Sequence, residues 1–159
     1  MRRKLAIRHM VCAALWLWIY LAPAGAAEFV ALRIGEAELS AEIAATPAER
    51  AVGLSGRQQL DNDSGMLFVF ERPLRPQFWM RDTGIPLSIA FIGDDNRIVE
   101  MYDMKPYSLR LYRPRKPVRY ALEMQRGWFR AKRVAVGARV AGLERLPQFV
   151  QSLAAPEAP

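Results

Sequence analysis

The sequence predicts a mainly β domain, compact and sandwich- or barrel-like, with one or two short helices. Three observations predict it. About seven short segments carry apolar residues in alternation or on both faces, turn residues separate them at short intervals, and only two stretches carry helix signals. No internal repeat or linker divides the chain, so a single domain is expected over residues 27–146.

The segments EFVALRI and AELSAEI alternate about Gly35-Glu36 and read as a hairpin. In TPAERAVG, Thr46 stands at a helix cap, Pro47 at the first helical position and Glu49 three residues after the cap, which completes a capping box. A short helix to about Val52, closed by Gly53, follows. After polar turn material from Leu60 to Ser64, GMLFVF is apolar on both faces and reads as a central strand. The link ERPLRP leads to QFWM, and DTGIP separates that segment from the apolar strand LSIAFI.

GDDN is a turn. RIVEMYDM then alternates, with Val99 and Met101 expected on one face and Ile98, Glu100 and Tyr102 on the other. Residues 105–117, with Pro106, Pro114 and Pro117, suit a long extended loop. VRYALEM is a further strand, RGWFRAKR a helical turn or short helix, and VAVGARV a last short β segment. Residues 147–159 form a frayed C-terminal tail.

Residues 1–26 read as a signal peptide. Arg2, Arg3, Lys4 and Arg8 precede an apolar run of 13 residues from Met10 to Ala22, and Ala24-Gly25-Ala26 offers a cleavage pattern after Ala26 or Ala27. The run falls short of the roughly 20 residues that span a bilayer, so no transmembrane segment is expected after cleavage and the destination is periplasmic or secreted. Cys12 does not follow a small-residue box, which argues against lipoprotein acylation. Removing the leader takes away four of the 23 basic residues and none of the 16 acidic ones, so the formal charge falls from +7 to +3. The high isoelectric point is thus partly an export feature, and no nucleic-acid partner is expected.

His9 and Cys12 are the only residues of their kinds, and both lie in the leader. The domain therefore has no disulfide, no thiol nucleophile, no Ser-His-Asp arrangement, no c-type haem and no thiolate or imidazole metal site. No cofactor is expected. Asp61-Asn62-Asp63-Ser64-Gly65 begins like a calcium loop but places Gly65 fifth and Arg72 twelfth, and Asp94-Asp95-Asn96 has Ile98 fifth. Both read as turns, and no metal is expected.

Taken together, GLSGR after a capped helix, GMLFVF, FWMRDTGIPLSIAFI, RIVEM, YALEM and VAVGARV resemble the exported bacterial and archaeal family known as domain of unknown function 192, over about residues 29 to 143. The resemblance implies a small, compact, mainly β domain of sandwich type and brings no enzymatic activity with it. Two positions depart from the family pattern: Ser55 stands where a bulky residue is usual after Gly-Leu, and Ser88 where an Asp usually follows Ile-Pro-Leu.

Strand alternation in QFWMRDT sets Phe78 and Met80 on one face and Trp79 and Arg81 on the other. An indole beside a guanidinium suits a sugar or another planar, partly anionic ligand. The alternative is that Trp79 is a core ring and Arg81 pairs with Asp82. Thr83-Gly84 reads as a tight turn aiming Thr83 and Asp82 at a sheet end. Glu123 shares a face with Arg119 and Ala121, where it serves either a site or an ion pair with a neighbouring Arg.

The candidate ligand-binding residues are Trp79, Arg81, Asp82, Thr83 and Glu123. If a reaction is catalysed, Asp82 and Glu123 are its acid–base pair, which a glycan hydrolase needs at roughly 5–9 Å. The first expectation is a binding module for a small polar or saccharide-like ligand. A third reading is an envelope assembly factor working through the 105–119 loop, whose Lys105, Arg110, Arg113, Arg115, Lys116 and Arg119 sit among tyrosines and could meet an anionic envelope polymer.

Overall fold

The computed structural model describes residues 27–146 and 150, so the expected leader and nearly all of the expected tail lie outside the described residues. The domain is mainly β. Strands β1 (Phe29–Ile34), β2 (Ala37–Ala44), β3 (Ser64–Leu74), β4 (Leu87–Ile92), β5 (Ile98–Met104), β6 (Val118–Gln125) and β7 (Val140–Ala141) form one curled, barrel-like sheet in the order β5-β4-β6-β3-β2-β1-β7. Among the described residues it carries the short helices α1 (Pro47–Val52) and α2 (Trp128–Ala131) and a 3₁₀ turn at Leu143–Arg145.

The hairpin of β1 and β2 turns at Gly35, whose φ of 60° is left-handed. β2 and β3 are parallel, so the chain must cross over between them, and α1 makes that crossing. The capping box starts α1: Thr46 Oγ1 accepts from the Glu49 N–H at 3.2 Å, and Glu49 Oε2 accepts from the N–H groups of Ala45 and Thr46 at 2.9 Å each. Thr46→Ala removes one partner of that exchange, and a loss of about 1 kcal/mol is expected from the urea unfolding midpoint.

Both faces of the sheet centre are covered, which is why β4 is buried at all six positions and has no polar side. All seven strands feed one core, with Leu67, Val69, Ala90, Ile92, Leu122 and Met124 packed against Trp128 and Phe129. The opposite face of β3, β4 and β6 carries Met66, Phe68, Phe70, Ile89, Phe91 and Ala121 into a second core, closed by Phe78, Met80, Ile85 and Tyr112.

QFWM forms no full strand, only an isolated bridge between Phe78 and Tyr112, yet Phe78 and Met80 are buried and Trp79 is exposed, as its alternation requires. The alternation expected in β5 is broken. Phe91 pairs with Glu100 but Ile92 pairs with Ile98, so Val99 is an extra, bulged residue, and Ile98 and Met101 reach the same core. The last segment pairs with β1 at Val140–Ala141 and keeps one further isolated bridge, from Arg139 to Arg97.

Candidate functional site

A cavity of about 470 Å³ opens on the face of the second core. α1 and the turn after it supply Arg50, Val52 and Ser55, β3 supplies Phe68 and Phe70, and β6 supplies Glu123. The irregular segment 76–83 supplies Phe78, Trp79, Arg81, Asp82 and Thr83. All five residues expected around a ligand thus line one cavity. Strand register brings the distant ones together: Met66 pairs with Glu123 and Phe68 with Ala121, so the carboxyl of β6 rises beside the rings of β3.

The cavity is graded from mouth to floor. At the mouth Trp79 is 47 % exposed, so it is not a core ring, and the Arg81 guanidinium stacks over it at 4.1 Å from the ring centre. Arg81 also pairs with Asp82 at 3.4 Å, and the Asp82 side chain is 70 % exposed. Val52 and Leu111 add apolar, exposed edges. The segment is held in place by main-chain bonds, from the Gly56 N–H to the Asp82 carbonyl (2.9 Å) and from the Tyr107 N–H to the Thr83 carbonyl (3.1 Å).

On one wall, the Arg50 guanidinium donates to the carbonyls of Ala45 and Val69 and lies 5.5 Å from the Phe70 ring centre. Phe68 and Phe78 meet edge to face at 4.9 Å. Thr83 is buried, and among the described residues nothing bonds its hydroxyl.

Glu123 is the floor. It is 4 % exposed, and its carboxyl makes no hydrogen bond or ion pair with any described residue. Burial alone pushes its pKa up, to about 8, so the group is largely protonated at neutral pH. The ion pair weighed for Glu123 does not form among the described residues. Arg119 of the same strand pairs with Asp94 at 3.0 Å and donates to the Glu71 carbonyl at 2.6 Å, and Arg50 of the cavity donates to the carbonyls of Ala45 and Val69.

Chemically, the arrangement offers an acid at depth, aromatic faces around it and a stacked indole and guanidinium at the entrance. Sequence reasoning missed Arg50, Ser55, Phe68 and Phe70. The alternation in GMLFVF was the available signal for the two rings, since it puts residues 66, 68 and 70 on one face.

The model of the DUF192 family, described as an uncharacterized ACR, matches residues 30–142. The chain belongs to the DUF192 family. No curated protein matches it. A solved structure from Sinorhizobium meliloti, of a protein described as a candidate transcription regulator, is 31% identical with a TM-score of 0.71, and the match covers 74% of this chain and 96% of that one. A protein of unknown function from Novosphingobium aromaticivorans is 30% identical with a TM-score of 0.69, over 74% of this chain and 88% of its own.

The two departures from the DUF192 pattern fall in different places. Ser55 lines the cavity. Ser88 lies on the other face of the sheet, buried, where its hydroxyl donates to Asp103 and accepts from the Gly127 N–H at 2.9 Å, so it has no part in this site.

The segments that begin like calcium loops act as turns. Asp63 has a φ of 55° and accepts from Trp128 Nε1 at 2.7 Å, and Asp95 Oδ1 accepts from the Arg97 N–H at 3.1 Å. The basic loop is strapped to the domain: the Arg115 N–H donates to Glu100 at 2.8 Å, Arg75 Nε to the Pro114 carbonyl at 3.0 Å and the Met80 N–H to the Ser108 carbonyl at 3.0 Å.

Proposed function

We propose that this DUF192 domain is an exported binding module that holds a small polar or saccharide-like ligand in the cavity above Glu123. The unpartnered, buried Glu123 carboxyl at the floor of a ring-lined cavity carries the reading, because leaving such a group without a partner destabilises the empty domain and a ligand can relieve that. The size of the cavity also supports it: about 470 Å³ lies within the usual range of ligand sites. The leader-like residues 1–26 support export.

The two-carboxylate hydrolase reading draws less support. Asp82 stands at the solvent-exposed mouth, tied to Arg81, whereas Glu123 is at the floor.

A thermal-shift screen of sugars, nucleotides, amines and anions tests the proposal on wild type and Trp79→Ala. A ligand at a hundredfold excess over its Kd stabilises the fold by about 2.7 kcal/mol, which is a midpoint rise of roughly ten degrees. Loss of the stacking indole is expected to weaken binding roughly tenfold. If no compound moves the wild-type midpoint, or if the shift is the same without Trp79, the cavity is not the binding site.

A further inference from the structure

We propose that the cavity takes its ligand by a cationic nitrogen, a primary amine that passes between Phe68, Phe70 and Phe78 and pairs with the Glu123 carboxyl. The inference rests on the binding reading above and names the chemistry of the ligand's buried end. Three features of the floor favour a cation over a hydroxyl or an anion. Among the described residues lining the cavity, the only buried ionisable group is the Glu123 acid, which no described residue bonds; the other buried polar group, the Thr83 hydroxyl, is neutral. The walls are aromatic, and ring faces attract positive charge. Among the described residues, no cation competes for the carboxyl.

That last point follows from the surroundings of Glu123 on every side. The charged groups lining the cavity with it are Arg50 of α1 and Arg81 and Asp82 of segment 76–83. Arg50 is spent on the carbonyls of Ala45 and Val69, and Arg81 on Trp79 and Asp82. On the same face, Met66, Phe68 and Phe70 of β3 and Ile89 and Phe91 of β4 carry no charge, while Tyr102 of β5 is engaged with Glu100. Leu111 of the basic loop reaches the cavity as an apolar side chain. Burial alone raises the Glu123 pKa, so neither arginine acts on it. An anion arriving there would lose its water and gain only neutral donors, the protonated Glu123 carboxyl and the Thr83 hydroxyl, whereas an ammonium gains a carboxylate in a low-dielectric site.

The proton balance makes the proposal testable. The ammonium form of the ligand enters, the Glu123 carboxyl gives its proton to the buffer, and an ammonium–carboxylate pair remains. With a free-domain pKa of about 8, most of a proton is released per butylamine bound at pH 7, and the affinity for butylamine, which stays an ammonium throughout, rises by more than about tenfold from pH 6 to pH 8.

The experiment is calorimetry on the intact domain in buffers of different ionisation heat, with butylamine against butanol and glucosamine against glucose. Each amine is expected to bind at least tenfold tighter than its neutral partner, with proton release. Glu123→Gln, which keeps the shape, is expected to lose both the preference and the proton release while still binding the neutral partner. Equal binding of amine and alcohol without proton release overturns the amine inference and leaves the cavity a binding site. An unchanged amine preference in Glu123→Gln also overturns it. Silence from every probe, in calorimetry and in the thermal screen alike, overturns both readings.

Discussion

Glu123→Gln is expected to flatten the pH dependence of stability between pH 4.5 and pH 8. In the unfolded chain this carboxyl loses its proton near the ordinary value of 4.5, whereas in the folded domain burial holds the proton on up to about 8. Between those values the folded state carries the extra proton, so stability falls as pH rises. The contribution is fully present below 4.5 and fully lost above about 8. Each pH unit in that window is worth about 1.4 kcal/mol, and the whole span weakens the fold by roughly 5 kcal/mol. Glutamine cannot ionise. The variant should therefore match wild type near pH 4.5 and exceed it by 3 to 5 kcal/mol, to order of magnitude, at pH 8.

Other carboxyls act in a different window. Glu49 is held below its usual range, chiefly by the Thr46 N–H, so its contribution is lost only as pH falls below 4.5. Urea unfolding of both proteins across this pH range measures the effect directly. Parallel profiles for the two would mean that Glu123 is wet or paired in the folded domain.

Gly65→Ala is expected to destabilise the domain by roughly 3 kcal/mol. Gly65 lies in β3 between Ala41 of β2 and Met124 of β6, and a Cβ there would run into the Glu123 carbonyl oxygen and Met124 Sδ. The obstruction is partly main chain, so the sheet itself has to move. Gly35→Ala is the control, since open space surrounds that position and only its φ of 60° is strained, which costs about 1 to 2 kcal/mol. Equal unfolding midpoints for the two variants would show that β3 and β6 do not approach as closely as described. Because the clash falls on the residue at the cavity floor, Gly65→Ala should also weaken ligand binding.

The parts of the fold that depend on neighbours in sequence were legible from it. The Thr46/Glu49 box set the start of α1, the alternation about Trp79 set which side chains are buried, and the turn residues separated the strands. The parts that depend on distant partners were not. β6 inserts between β3 and β4, and nothing local in VRYALEM announces that position, yet it alone sets Glu123 beside Phe68 and Phe70.

The bulge at Val99 was illegible for a similar reason, since an extra residue is defined only against its partner strand. Alternation gave the face on which Glu123 lies but not its lack of a partner. That lack depends on distant partners: Arg119 finds Asp94 of a turn, and Arg50 finds the carbonyls of Ala45 and Val69.

A buried acid that no described residue bonds, in a cavity it shares with Phe68, Phe70 and Phe78, underlies both the binding reading and the amine inference. Its titration can be followed by carbon-13 NMR of the side-chain carboxyl in the ligand-free domain, with Glu123→Gln assigning the resonance. A midpoint near 8 is expected. A midpoint near the ordinary 4.5 would contradict the proposed site, because a carboxyl that ionises so readily is already solvated or paired.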